Sequence, residues 1–148
     1  MMTEILIKTG IDFADYNDAL NYIADELIGV GIVKESYRAS VFEREQNFPT
    51  GIALEHHAVA IPHCEAEHAL KPAIYFIRPN NKVVFNRADE DGKIDVEMII
   101  ALVVTDPQAQ LKILRNLFGK LQDNDFVETL LQSSEENLSA LIHQQLNF

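Results

Sequence analysis

Between Tyr16 and Leu27 the apolar positions Tyr16, Ala19, Leu20, Ile23 and Leu27 recur at helical spacing. Asp15, just ahead of them, offers a side-chain acceptor to the free N–H groups of a first turn, and Gly29 and Gly31 interrupt the pattern at its end. The spacing therefore predicts a first helix. A second, shorter helix opens at Ser36 and carries Tyr37, Ser40 and Val41. It ends near Arg44 and Glu45, before Pro49-Thr50-Gly51 breaks the period. Those two charges thus fall at a helix-to-loop junction.

The middle of the chain changes character. β-branched and aromatic residues gather in runs at Ala58–Ile61, Ala73–Ile77, Lys82–Phe85 and Val96–Val104. The last run is almost continuously apolar, the pattern of a central strand covered on both faces. Asp106 and Pro107 then form a cap and first-turn pair, and Leu111, Leu114, Leu117, Phe118 and Leu121 share one stripe. A further helix is predicted after Asp123, with Phe126, Val127 and Leu130. Another is predicted after Ser133, where Glu136 completes a capping box. Helix, strands and helices in this order predict a layered α/β domain, with a central mixed sheet flanked by helices.

Size and composition narrow the picture. The 148 residues suit one domain, 1–148, with no Gly-, Ser- or Pro-rich linker and no internal repeat; 47% hydrophobic and 24% charged residues are the balance of a soluble globular protein. A net charge of -11 repels phosphate backbones and anionic headgroups, so nucleic acid and membrane surfaces are poor ligands. A protein partner with a basic patch remains compatible. Cys64 is the only cysteine, which leaves no internal disulfide and no cysteine framework for a metal. Met1–Gly10 lacks a basic leader and a long apolar core, and Met98–Val104 is far too short to cross a bilayer. The expectation is a cytoplasmic protein that works from the aqueous side.

Chemistry concentrates around the histidines. Of the 5 in the chain, His56, His57, His63 and His68 crowd one segment. Imidazole binds zinc, and Glu55, Glu65 or Glu67 could add oxygen ligands. The spacing opposes this: adjacent His56 and His57 point to opposite faces of an extended chain, and in one straight strand His57 and His63 would lie roughly 20 Å apart. The other reading makes His63 a covalent nucleophile. A neutral imidazole accepts a phosphoryl group and releases it again. Pro62 ends the preceding ladder by lacking an N–H, which puts His63 at a strand terminus, a common binding position. Arg44 is the natural stabiliser of charge on the transferred oxygens. Taken alone, a histidine after a strand is more often a surface or hydrogen-bonded core residue than a nucleophile, and an Arg-Glu pair at a helix end is more often a solvated charge pair than a phosphate clamp.

Ala60-Ile61-Pro62-His63, preceded by Pro49-Thr50-Gly51-Ile52 and by Arg44-Glu45, resembles the active-site region of the fructose and mannitol class of enzyme IIA domains. These belong to the bacterial phosphoenolpyruvate-dependent sugar phosphotransferase system. The resemblance covers nearly the whole chain. Within the class, Phe48–Ile52, Leu54-Glu55, His57–Ala66, Ala73-Ile74-Tyr75, Arg78-Pro79 and Asn81-Lys82-Val83 look most like the galactitol-specific subgroup. The resemblance implies that His63 takes phosphate from the phosphohistidine of the general carrier HPr. It implies that His63 then passes the group to a cysteine of a cognate enzyme IIB, which serves the membrane-embedded enzyme IIC permease. It also implies that Arg44 helps hold the phosphoryl group, that Glu45 orients Arg44, and that no cofactor is needed. Cys64 is assigned no chemistry, since the phosphocysteine of such systems resides on IIB.

The chain departs from the commoner family pattern twice. Many relatives carry Gly-Asn-Gly where this chain has His56-His57-Ala58, so His57 replaces an asparagine. Mannitol-type relatives have a second active-site histidine at the start of the late helix, where this chain has Gln110. Either Gln110 supplies a neutral hydrogen bond in place of that ring, or His57 folds over to take its role. His56, His68 and His143 read as surface histidines. Two other readings stand beside the carrier: a regulatory relative of the nitrogen-linked branch that acts by protein binding, and a metal enzyme built on the histidine cluster.

Overall fold

The computed structural model describes residues 3–146; Met1, Met2, Asn147 and Phe148, the ends of the expected 1–148 unit, lie outside the described residues. Seven strands and five α-helices follow in the order β1 (Glu4–Ile11), α1 (Tyr16–Gly29), α2 (Tyr37–Asn47), β2 (Gly51–Ala53), β3 (Ala58–Ala60), β4 (Ala73–Pro79), β5 (Val83–Asn86), β6 (Lys93–Val96), β7 (Met98–Val103), α3 (Pro107–Leu121), α4 (Asn124–Gln132) and α5 (Glu135–Gln145). A short 3-10 turn spans Ala66–His68. The main sheet has the strand order β1-β4-β7-β3-β2, and β5 and β6 form a separate two-stranded ribbon.

The main sheet is mixed. β1 runs parallel to β4, β4 antiparallel to β7, β7 parallel to β3, and β3 antiparallel to β2. β7 lies in the middle and is buried at every position, as its continuous apolar run requires. Its alternation sorts the core into two layers. Ile99, Ala101 and Val103 face α1 and α2 together with Leu20, Ile23, Leu27 and Val41. Met98, Ile100 and Leu102 face the C-terminal helices with Leu117, Val127, Leu130, Leu138 and Ile142. Each fully buried side chain of this kind contributes about 1.5–3 kcal/mol.

Three of the expected helix starts form as predicted. Asp15 accepts from the Asp18 N–H (2.9 Å), Asp106 from the Gln108 N–H (3.0 Å) with Pro107 in the first turn, and Asp123 from the Asp125 N–H (3.0 Å). The capping box at Ser133 does not form. Ser134 is the cap of α5 and makes no side-chain cap bond, while the Ser133 hydroxyl donates back to the Thr129 carbonyl (2.6 Å) at the end of α4. That backward bond closes α4 and removes Ser133 from the next helix.

The strands differ more from the expectation. β1 and β2 occupy the two edges of the sheet and were not predicted. The run Val96–Val104 is two strands rather than one. At Glu97 the chain leaves the ribbon and enters the main sheet, and the Glu97 N–H goes to the Ala58 carbonyl (3.0 Å). Ile61, expected within β3, lies just past its last pair: its N–H still reaches the Thr50 carbonyl (3.3 Å) across from β2, while the Thr50 N–H turns away to Glu45.

Parallel β3 and β7 end on the same side of the sheet. The chain therefore delivers His63, just beyond β3, and the first turn of α3, just beyond β7, to one edge. His57 stands at the other end of β3.

Candidate active site

His63 lies beyond the last pair of β3, and its place is fixed by the peptides before it. Pro62 has no N–H, and its carbonyl accepts from the Leu102 N–H (3.1 Å) of β7. The Ile61 carbonyl is left without a ladder partner and accepts instead from His63 Nδ1 (2.7 Å). A carbonyl oxygen only accepts, so Nδ1 carries the proton and Nε2 carries the free lone pair. The ring is 8% exposed. Burial holds its pKa below the ordinary imidazole range; Arg44 adds to that shift, while the Ile61 bond opposes it. The neutral, nucleophilic form is thus favoured near pH 7.

His63, Arg44, Cys64, Glu65, Pro107, Gln110, Leu111 and Leu114 line one cavity of about 200 Å³. Arg44 reaches it from the last turn of α2. Its guanidinium lies over the Phe48 ring, 4.9 Å from the centroid. Its Nε is buried without a hydrogen-bond partner, and no carboxylate forms an ion pair with it among the described residues. A buried donor without a partner is costly unless a ligand oxygen satisfies it. Gln110 enters from the first turn of α3 and donates through Nε2 to the Cys64 carbonyl (3.3 Å).

Glu45 is buried beside this site, but its partner is Thr50 rather than Arg44. Thr50 donates its N–H to Oε2 (2.7 Å) and its hydroxyl to Oε1 (2.7 Å). Burial raises the Glu45 pKa, and the two Thr50 bonds and Arg44 oppose that rise. Thr50 itself had no predicted role. Glu65, weighed from the sequence only as an oxygen ligand for zinc, instead has its Oε2 accept from the Ser40 hydroxyl (2.9 Å). Its own backbone N–H and Ser40 hold its carboxyl below the usual range. Glu65 and Arg44 also line a neighbouring hollow of about 480 Å³ with Ser36, Ser40, Phe48 and His68.

The other histidines are dispersed. His57 Nδ1 donates to Glu97 (2.9 Å) and its Nε2 to Glu128 (2.5 Å), which ties it to α4 and away from the cavity. His56 is exposed beside Glu55, and His68 pairs with the Ser36 hydroxyl (2.8 Å). His143 is exposed in the last turn of α5. Among the described residues, no group of three or more His, Cys, Asp or Glu side chains is placed to hold a metal ion. Burial pushes the Cys64 thiol up to about 11, so it stays protonated at neutral pH. No helix among the described residues is long and apolar enough to cross a membrane.

The same arrangement of strands and helices occurs in solved proteins. The mannitol enzyme IIA of Escherichia coli is 21% identical, with a TM-score of 0.74 over 92% of this chain and 94% of that one. It has also been solved in complex with phosphorylated enzyme IIB. The nitrogen regulatory protein IIA-Ntr of Neisseria meningitidis is 22% identical, with a TM-score of 0.71 and 92% of each chain covered. In sequence, the galactitol-specific EIIA component of the phosphotransferase system of Escherichia coli (strain K12) is 50% identical over 137 residues, 93% of this chain and 91% of that protein. Residues 1–145 match the family described as "Phosphoenolpyruvate-dependent sugar phosphotransferase system, EIIA 2". A match over nearly the whole chain, joined to half-identity with a named component and to the mannitol-type fold, places this protein in the EIIA 2 family of the sugar phosphotransferase system.

Proposed function

We propose that this protein is a cytoplasmic phosphocarrier whose His63 Nε2 accepts a phosphoryl group from phospho-HPr and passes it to a cysteine of a cognate enzyme IIB. The observation that carries this reading is the bond from His63 Nδ1–H to the Ile61 carbonyl, which leaves Nε2 as the nucleophilic nitrogen of a buried, neutral ring. The lone pair of Nε2 attacks phosphorus, the P–N bond of the donor phosphohistidine breaks, and the donor nitrogen leaves with that electron pair. The His63 ring, now substituted on both nitrogens, is cationic, and its Nδ1–H keeps the Ile61 oxygen as acceptor. A cationic ring is a good leaving group, so onward attack by a thiolate reverses the bond change with His63 neutral again.

Arg44 meets the charge on the phosphoryl oxygens, and its unpartnered buried Nε supports that role. Gln110, in the first turn of α3 and beside the same cavity, supplies the neutral donor near the group. Glu45 supports the site through Thr50. His57, at the far end of β3, has no part in the transfer.

The pathway we assign is uptake of galactitol or a related hexitol, served downstream by an enzyme IIC permease. The 50% identity to the galactitol-specific component favours this over the nitrogen-linked regulatory branch, whose IIA-Ntr relative is 22% identical. The test is intact mass after incubation with phosphoenolpyruvate, enzyme I and HPr. An acid-labile gain of about 80 Da, one phosphoryl group, is expected for wild type and not for His63→Ala. A gain in both proteins would place the phosphoryl group elsewhere, and a gain in neither would reject the carrier.

A further inference from the structure

Glu45, Thr50, Ile61 and His63 form one continuous chain of hydrogen bonds. Both Glu45 oxygens accept from Thr50, through its N–H and its hydroxyl, at 2.7 Å each. The Thr50 hydroxyl in turn accepts from the Ile61 N–H (3.2 Å), which also lies 3.3 Å from the Thr50 carbonyl. The Ile61 carbonyl accepts from His63 Nδ1 (2.7 Å). Glu45 and Thr50 are both buried, so water is a poor substitute for either partner.

The donors fix the direction of this chain. The Ile61 N–H only donates, so the Thr50 hydroxyl oxygen accepts from it while its proton goes to Glu45 Oε1, and Oε2 accepts the Thr50 N–H. The burial of Glu45 makes both bonds hard to forgo.

We infer that Thr50, held by Glu45, is a positioning residue that orients the Ile61 peptide and so keeps His63 in the Nδ1–H tautomer with Nε2 free. This rests on His63 being the phosphoryl acceptor only for its effect on rate; the tautomer is a property of the protein alone. Without the hydroxyl, Glu45 loses one partner and the Ile61 N–H keeps only its longer bond. The Ile61 carbonyl then no longer stands in one place before Nδ1, and part of the population carries its proton on Nε2, where it blocks attack.

The test compares wild type, Thr50→Val, Thr50→Ser and Glu45→Gln by the imidazole ¹⁵N shifts of His63 and by the rate of phosphoryl acceptance from phospho-HPr. In wild type the two ring nitrogens should be widely separated, Nδ1 protonated and Nε2 not. In Thr50→Val they should draw together, with acceptance slowed roughly tenfold to a hundredfold, the scale of small misplacements of reacting groups. Thr50→Ser restores the hydroxyl and should return both readouts toward wild type. Glu45→Gln keeps one acceptor and should fall between, which tests the chain even where Thr50→Val fails to give a folded sample. Wild-type ¹⁵N shifts in folded Thr50→Val or in Glu45→Gln would overturn the inference, as would a Thr50→Ser protein that behaves like Thr50→Val. If wild type accepts no phosphate while the shifts respond as expected, the carrier reading fails and the positioning chain stands.

Discussion

The imidazole of His57 is held between two carboxylates, with Glu128 2.5 Å from Nε2 and Glu97 2.9 Å from Nδ1. Ionised carboxylates only accept, so both ring nitrogens carry protons and the ring is an imidazolium. Glu128 and Glu97 raise the His57 pKa against the opposing effect of burial, with Glu128 the largest contribution. A His pKa raised in the folded state stabilises fully below the unfolded value of about 6.5 and loses that contribution as pH climbs through the folded value. His57→Asn should therefore lower the melting temperature more at pH 6 than at pH 9, while phosphoryl acceptance stays at the wild-type rate. Thermal melts across that range check the first part; equal losses at both pH values would contradict it.

The His63 shift has the opposite sign and a different reading. Burial lowers its pKa, so the neutral ring persists below pH 6.5, where an ordinary histidine is half protonated. Phosphoryl acceptance should stay near its neutral-pH rate as pH falls through 6.5 and decline only at the lower folded value. An NMR titration of His63 beside the pH–rate profile gives both numbers, which should coincide. A rate that halves at about 6.5 would show an unshifted ring.

Arg44→Ala should slow phosphoryl acceptance by roughly 10²–10³, the usual loss for one charge-stabilising donor. Its effect on stability should be small, since what it loses is the contact with exposed Phe48, about 0.5–1 kcal/mol. Stopped-flow transfer and a urea melt measure the two separately. A normal rate in a normally folded variant would remove Arg44 from the site.

Gly51 carries a steric demand. A Cβ there would lie 2.6 Å from the Asn86 carbonyl oxygen and 2.8 Å from Ile94 Cγ2, against the β5–β6 ribbon. Gly51→Ala should destabilise the fold by about 1–3 kcal/mol, as overpacking does, in a denaturant melt. It should also slow transfer, because Thr50 is the preceding residue.

Much of this arrangement was legible in the chain, and its gaps have physical causes. α1, α3 and α4 announce themselves through a cap and a one-sided stripe, both local signals. β1 and β2 do not. Edge strands need only half the pairing of an interior strand, and the short Ile5-Leu6-Ile7 run lacks a flanking turn signal on its N-terminal side. The division at Glu97 was hidden because apolar continuity says nothing about which sheet a strand joins. In the site, His63, Arg44, Glu45 and Gln110 were readable as residues from the family pattern, but their convergence depends on parallel β3 and β7 ending together. Thr50 was missed because a lone threonine in a turn has no periodicity; only the pairing of β2 with β3 brings it to Ile61. The partner expected for Glu45 was the adjacent arginine, whereas the turn curls Thr50 back onto it.

Exposure separates two kinds of position around Arg44 and His63. His63 is 8% exposed, whereas Phe48 and Leu111, at 63% and 61%, stand open beside the same groups. The buried residues are those to which the proposed function assigns phosphoryl uptake, and their hydrogen bonds tolerate little change. The exposed pair accepts substitution at small cost to folding. Change at that exposed rim therefore leaves the hydrogen bond that sets the histidine's tautomer untouched.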